Sequence, residues 1–244
     1  MPDQIAENIR LIEKELASSR ARLLPVSKTF PPERILEAYR AGCRDFGENR
    51  VQEILEKKAL LPQDIRWHLI GHLQTNKVKQ IAGFIHLIHS VDSEKLLAEI
   101  DRQGARHGRQ IACLLQVFIA KEETKSGWDP DELRTWFREG GPARYPHIRI
   151  RGLMGMATFT DDESVVRAEF RNLGHLFAEL ARTAHFPNCQ MEELSMGMSG
   201  DYRIACEEGS TLVRMGTAVF GGRYYPPVPD AEKSGVGHPE EFGK

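Results

Sequence analysis

Apolar residues recur along this chain in two rhythms, and the rhythms alternate. Ile5, Ile9, Ile12 and Leu16 repeat at helical spacing, so the chain opens with an amphipathic helix. The run 23–27 is apolar, too short for a helix, and reads as a buried strand. Pro25 fits such a strand only where its missing N–H faces no pairing neighbour. Pro31 and Pro32 then start a helix with the apolar face Ile35, Leu36 and Tyr39, which Gly42 stops. The alternation continues with a very short strand at 45–47 and a helix at 51–59 ended by Pro62. A strand at 67–71, a short basic helix at 76–81 and a strand at 84–89 follow.

Asp92 caps the next predicted helix, which carries Leu96, Leu97 and Ile100 and stops near Gly104. The run 111–119 is continuous enough to be a strand buried on both faces. A charged loop at 121–127 leads to a helix at 130–137 and a strand at 148–154. Val166, Phe170, Leu173, Phe177 and Leu180 form the longest helical stripe. A strand at 190–194, a helix at 201–208, a strand at 211–213 and a short piece at 218–220 complete the series. Eight strands alternating with helices, without a composition break, predict one (β/α)8 TIM barrel with an extra N-terminal helix. A doubly wound open sheet is the structural alternative. The barrel domain is expected over 1–223, and the Pro- and Gly-rich stretch 224–244 reads as a disordered tail.

Composition narrows the function. The 244 residues carry a formal net charge of −2, which gives no electrostatic case for nucleic acid or an anionic membrane. No apolar run approaches the ~20 residues of a membrane-spanning helix. Cys43, Cys113, Cys189 and Cys206 form no Cys-x-x-Cys pair, and read as reduced thiols in a cytoplasmic protein.

In a barrel, chemistry sits at the C-terminal ends of the strands. Lys28 ends the first strand, where a flexible amine meets thin solvent; a neutral amine attacks carbonyls. A lysine snorkelling to the surface is the plainer alternative. Gly47-Glu48-Asn49-Arg50 ends strand two. The loops 195–201 and 214–217 look like a phosphate cup: their glycines admit backbone N–H groups to an anion, and Ser199 and Thr217 add hydroxyls. Tight turns alone would also explain Gly197, Gly200 and Gly216. A lysine opposite a phosphate cup suits a phosphorylated aldehyde such as pyridoxal 5′-phosphate (PLP), with Arg214 facing the pyridine nitrogen and disfavouring its protonation. His68 and His72 make a poor metal pair, as do His86 and His89, which should lie on opposite strand faces. Lys77, Lys79 and Arg50 read as a solvated basic rim.

The sequence resembles the pyridoxal-phosphate homeostasis protein family, also described as proline synthetase co-transcribed homologues. The resemblance is carried by Val26-Ser27-Lys28-Thr29, Phe46-Gly47-Glu48-Asn49, Val51-Gln52-Glu53, Trp67-His68-Leu69-Ile70-Gly71, Leu73-Gln74-Thr75-Asn76-Lys77 and Ser90-Val91-Asp92. It continues through Lys125-Ser126-Gly127, Arg151-Gly152-Leu153-Met154, Leu194-Ser195-Met196-Gly197-Met198-Ser199 and Val213-Arg214-Met215-Gly216-Thr217-Ala218. Phe118, where many members have Asn, and Cys206, where an aliphatic residue is commoner, depart from the pattern. The resemblance implies an alanine-racemase N-terminal-domain-like barrel that holds PLP as an aldimine on Lys28. It implies Asn49 beside the ring, Arg214 at the pyridine nitrogen, and Ser199, Gly216 and Thr217 at the phosphate. It further implies a role in vitamin B6 and amino-acid homeostasis, without a catalytic residue, a metal or robust catalysis. In alanine racemases a second base comes from an added C-terminal domain, for which the ~20 residues after this barrel leave no room. A monomer is expected, with apo PLP-dependent enzymes as partners. The alternatives are a PLP-dependent amino-acid racemase and a cofactor-free Schiff-base aldolase.

Overall fold

The computed structural model describes residues 4–120 and 127–222; the loop at 121–126, with Lys125 and Ser126, and the tail at 224–244 lie outside them. Eight strands form one parallel sheet: β1 (Arg22–Pro25), β2 (Asp45–Glu48), β3 (Arg66–Leu69), β4 (Leu87–Val91), β5 (Ile111–Gln116), β6 (Ile148–Met154), β7 (Cys189–Met198) and β8 (Leu212–Met215). Their order is β1-β8-β7-β6-β5-β4-β3-β2. The two ends of that order meet at a Val26–Gly47 bridge, where Ser27 N–H donates to Gly47 O at 2.9 Å. The sheet is therefore a barrel, and the open-sheet alternative falls.

Pro25 explains why this seam is narrow. Arg22 and Val26 donate toward β8, to Thr211 O (2.9 Å) and Met215 O (2.8 Å). By alternation the Pro25 nitrogen faces β2, and a ring nitrogen cannot donate there. Pairing on that side begins only above it.

Helices α1 (Gln4–Leu16), α2 (Pro32–Arg40), α3 (Val51–Leu60), α4 (Val78–Ile81), α5 (Glu94–Arg106), α6 (Pro130–Arg138), α7 (Glu163–Thr183), α8 (Tyr202–Glu207) and α9 (Thr217–Phe220) surround the strands. The main core lies between strands and helices, where Ile35, Phe46, Ile54, Leu69, Ile100 and Phe170 are fully buried. The added helix α1 buries the predicted stripe Ile5, Ile9, Ile12 and Leu16, and Asn8 ties it to Val219 O at 3.0 Å. Inside the barrel the apolar filling is small: Leu87, Leu114 and Met154 with Ala112.

Several boundaries differ from the rhythm. The fourth strand starts at Leu87, because Phe84 and Ile85 donate back to Ile81 O and finish the turn of α4. Ser93, rather than Asp92, caps α5 by accepting from Leu96 N. The fifth strand ends at Gln116, where Trp128 N–H takes its carbonyl. The seventh runs on to Met198, so Ser195, Met196 and Gly197 are strand, not loop.

Candidate functional site

The mouth at the C-terminal ends of the strands collects the predicted residues. Lys28 follows β1 in a tight turn and is half-buried. Among the described residues its amine has no hydrogen bond or ion pair. Thr29 beside it sits at φ 67°, a costly conformation for a β-branched residue. Its N–H is held by Glu53 Oε2 at 2.9 Å. Ser27, on the other side of Lys28, donates its hydroxyl to Glu48 Oε1 at 2.6 Å. Both neighbours of the lysine are thus pinned from α3 and β2.

A buried ion pair backs that turn. Lys57 Nζ donates to Glu48 Oε1 (2.7 Å), Ser27 O (2.9 Å) and Glu53 Oε2 (3.1 Å). Glu48 Oε2 is buried without a partner among the described residues. Burial pushes the Glu48 carboxyl up to about 7, against the opposing pull of Lys57. The sequence reading missed this pair, although a signal was present. The apolar stripe Val51, Ile54 lands three residues on at Lys57, which is buried on the same face.

The phosphate-cup residues come together across the β7 and β8 exits. Thr217 Oγ1 and Ser199 Oγ lie 3.4 Å apart. A Cβ on Gly216 would stand 3.2 Å from Val26 O, so that loop runs against the end of β1, two residues before Lys28. Asn49 follows β2, and a Cβ on Gly71 would meet its carbonyl oxygen at 2.4 Å. Only glycine lets the β3 exit pass so close. The helix behind Ser199 is short, Tyr202–Glu207, and Asp201 Oδ1 accepts from Met198 N at 2.5 Å to close the turn before it.

Arg214 is in β8 itself, buried, and turned into the barrel. Nη1 donates to Ser195 O (2.7 Å) and Ser195 Oγ (2.8 Å), and Nη2 to Gly155 O (3.1 Å). No carboxylate pairs with it among the described residues. Burial pulls it down to about 10, with Asp201 opposing from a distance.

The histidines are closer together than their spacing predicts. His68 Nδ1 lies 3.0 Å from His89 Nε2, and the His68 and His86 rings are 5.1 Å apart. His72 is exposed beside Asp92 instead. Ligand atoms of Asp45, His68 and His86 fall within 4.8 Å of one another, the spacing of a loose metal cluster. Asp45, however, already gives both oxygens to Arg66 (2.7 and 2.6 Å) and one to His68 Nε2 (3.0 Å). An occupied carboxylate next to a guanidinium is a poor cation ligand.

The arrangement offers a free amine, paired hydroxyls and a buried cation around one mouth. Such a set suits a phosphorylated carbonyl compound. Comparison with known proteins agrees with the fold and narrows the family. The alanine racemase N-terminal domain family matches residues 2–224. The chain is 43% identical over 206 residues to the pyridoxal phosphate homeostasis protein of Aquifex aeolicus, covering 84% of this chain and 88% of that one. It is 37% identical to the protein of the same name from Pasteurella multocida, covering 91% and 96%. PipY of Synechococcus elongatus PCC7942, solved with PLP bound, superposes with a TM-score of 0.80 at 40% identity, over 89% of this chain and all of that one (100%).

Proposed function

We propose that this chain, which belongs to the pyridoxal phosphate homeostasis protein family, binds PLP at the barrel mouth and carries it on Lys28 as an aldimine. PLP supplies an aldehyde for an amine and an electron-withdrawing ring. The observation that carries this reading is the convergence at one rim. β1 delivers Lys28, and the neighbouring β8 delivers Gly216 and Thr217 within reach of Ser199. Ser199, Gly216 and Thr217 would hold the phosphate, Asn49 would flank the ring, and Arg214 would face the pyridine nitrogen. The presence of PLP in PipY supports the choice of ligand.

Holding rather than turning over is the favoured role. A guanidinium facing the pyridine nitrogen keeps it unprotonated and so weakens the ring as an electron sink. Racemisation would also need a base on each face of the α-carbon. The three described tyrosines are engaged elsewhere: Tyr39 with Asp64, Tyr145 with Glu94 and Tyr202 with Glu15. We therefore assign a monomeric cytoplasmic carrier that buffers PLP and passes it to apo forms of PLP-dependent enzymes, within vitamin B6 and amino-acid homeostasis.

Ser199→Ala and Thr217→Val should each weaken PLP retention roughly ten- to hundredfold, as expected for losing one hydrogen bond to a charged group. Equilibrium dialysis against PLP measures it, and unchanged affinity in both variants would move the phosphate elsewhere. Transfer of bound PLP to an apo-transaminase tests the carrier role. Racemisation of L-alanine near the enzyme median of ~10 s⁻¹ would overturn it.

A further inference from the structure

A line of polar side chains runs through the barrel interior from its mouth to its floor. Arg214 Nη1 meets Ser195 Oγ at 2.8 Å, and Ser195 Oγ meets His89 Nδ1 at 3.0 Å. His89 Nε2 meets His68 Nδ1 at 3.0 Å, and His68 Nε2 meets Asp45 Oδ1 at 3.0 Å. Arg66 closes the far end on both Asp45 oxygens. Ser195 and His89 are fully buried and His68 nearly so.

The two ends fix every link. A guanidinium only donates, so Ser195 Oγ accepts from Arg214. Asp45 is a carboxylate: burial opposes its charge, but the hydrogen bonds from Arg66 and His68 hold it well below the usual range. It only accepts, so His68 carries its proton on Nε2. Burial keeps both rings neutral, pushing His68 down and His89 well down. A neutral His68 then presents a lone pair at Nδ1, which takes the Nε2–H of His89. His89 in turn presents Nδ1 to the Ser195 hydroxyl proton. All four donors point the same way, from the cation at the mouth to the anion at the floor.

We propose that Ser195, His89, His68 and Asp45 are positioning residues, a one-way hydrogen-bond chain that orients the Arg214 guanidinium toward the PLP ring, a role that rests on the cofactor reading above. Three of the five guanidinium N–H groups are taken by Ser195 O, Ser195 Oγ and Gly155 O, which leaves two for the mouth. The chain also gives the buried cation a polar path to Asp45 in place of a direct carboxylate partner. Other charged or titratable groups facing it are Arg22, His86, Arg151 and Glu193 at the floor and Asp201 near the mouth. None of them is hydrogen-bonded to Ser195 or His89, so none substitutes for a link.

Nitrogen-15 NMR of the full chain, labelled at histidine and free of PLP, tests the direction without any variant. The expected result at neutral pH is that His68 and His89 are both neutral Nε2–H tautomers. An Nδ1–H tautomer or an imidazolium at either ring overturns the chain. The positioning role is read from the absorbance band of the PLP-loaded protein. In Ser195→Ala a proton-linked step absent from the wild type should appear as pH falls from about 9 to about 5, because a loosened guanidinium no longer opposes ring protonation. Retention of PLP should fall roughly tenfold. Ser195→Thr, which keeps the hydroxyl, should restore the wild-type profile. A Ser195→Ala profile identical to the wild type overturns the positioning role even if the tautomers are as expected. Failure of the wild type to take up PLP would sink the cofactor reading and the ring-facing role together, while the tautomers still decide the chain.

Discussion

Two buried polar networks serve the same mouth by opposite designs. The one behind Lys28 lies between β2 and α3, and consists of an ion pair with excess acid: Lys57 serves both Glu48 and Glu53, and Glu48 Oε2 has no partner among the described residues. The one behind Arg214 lies inside the barrel and is satisfied link by link, with neutral histidines between its charged ends. The first is tuned near neutrality, because burial brings Glu48 up to about 7. The second is silent there, because burial keeps its histidines neutral. The same burial acts on both networks with opposite results, lifting an acid into the neutral range and pushing bases below it.

The largest expected effect comes from unbalancing the ion pair. Lys57→Met leaves Glu48 buried without its cation, and should lower unfolding free energy by about 3–5 kcal/mol in a urea titration. A loss below about 1 kcal/mol would mean that Glu48 is already neutral in the folded protein. Breaking the interior chain should cost less, because it strands neutral groups. His89→Leu leaves the Ser195 hydroxyl proton without its acceptor and His68 Nδ1 without its donor, worth about 1–3 kcal/mol. A larger loss than that of Lys57→Met would reverse the ranking of the two networks.

The two networks also differ in pH dependence, where the signs oppose. Glu48 is raised from 4.5 to about 7, so across that window the folded chain keeps a proton that the unfolded chain has lost. Its contribution to stability is present below the window and fades as pH rises through about 7. His68 is lowered, so its contribution is present above about pH 6.5 and is lost as pH falls. Glu48→Gln should therefore flatten the decline toward pH 7 and leave the acid side intact. Thermal melts across pH 4 to 8 would show it; an unchanged profile would remove Glu48 as the neutral-range group.

The barrel was legible in the sequence because helical and strand rhythms alternate along the chain, with Gly or Pro at several of the boundaries. The sequence also pointed to Lys28, Ser199 and Thr217 as candidates, and each follows a strand end, where barrel chemistry is expected. The misses share a cause. Ser195, Met196 and Gly197 belong to a Ser- and Gly-rich run that resembles a loop, yet they continue β7, where Ser195 meets Arg214 and Gly197 (φ 93°) would press a Cβ to 2.6 Å from Ala205 Cβ. His68 and His89 each have another histidine nearby in sequence, whereas their partners come from other strands: His89 on the neighbouring β4 for His68, and Ser195 across the barrel for His89. Lys57 lies on the buried face of α3 with Val51 and Ile54, but its partner Glu48 comes from β2 and no local spacing points to it. Polar groups inside a barrel are set by register across strands, which no single stretch encodes.

The account turns on which lysine meets the cofactor. Lys57 has three acceptors around its amine, while Lys28 has none among the described residues. Borohydride reduction of the PLP-loaded chain, followed by peptide mass mapping, decides between them and every other lysine. The account predicts the reduced adduct on Lys28 alone, and none in Lys28→Ala. An adduct at Lys57 or any other lysine in the wild type, or a loaded protein that borohydride leaves unlabelled, would contradict it.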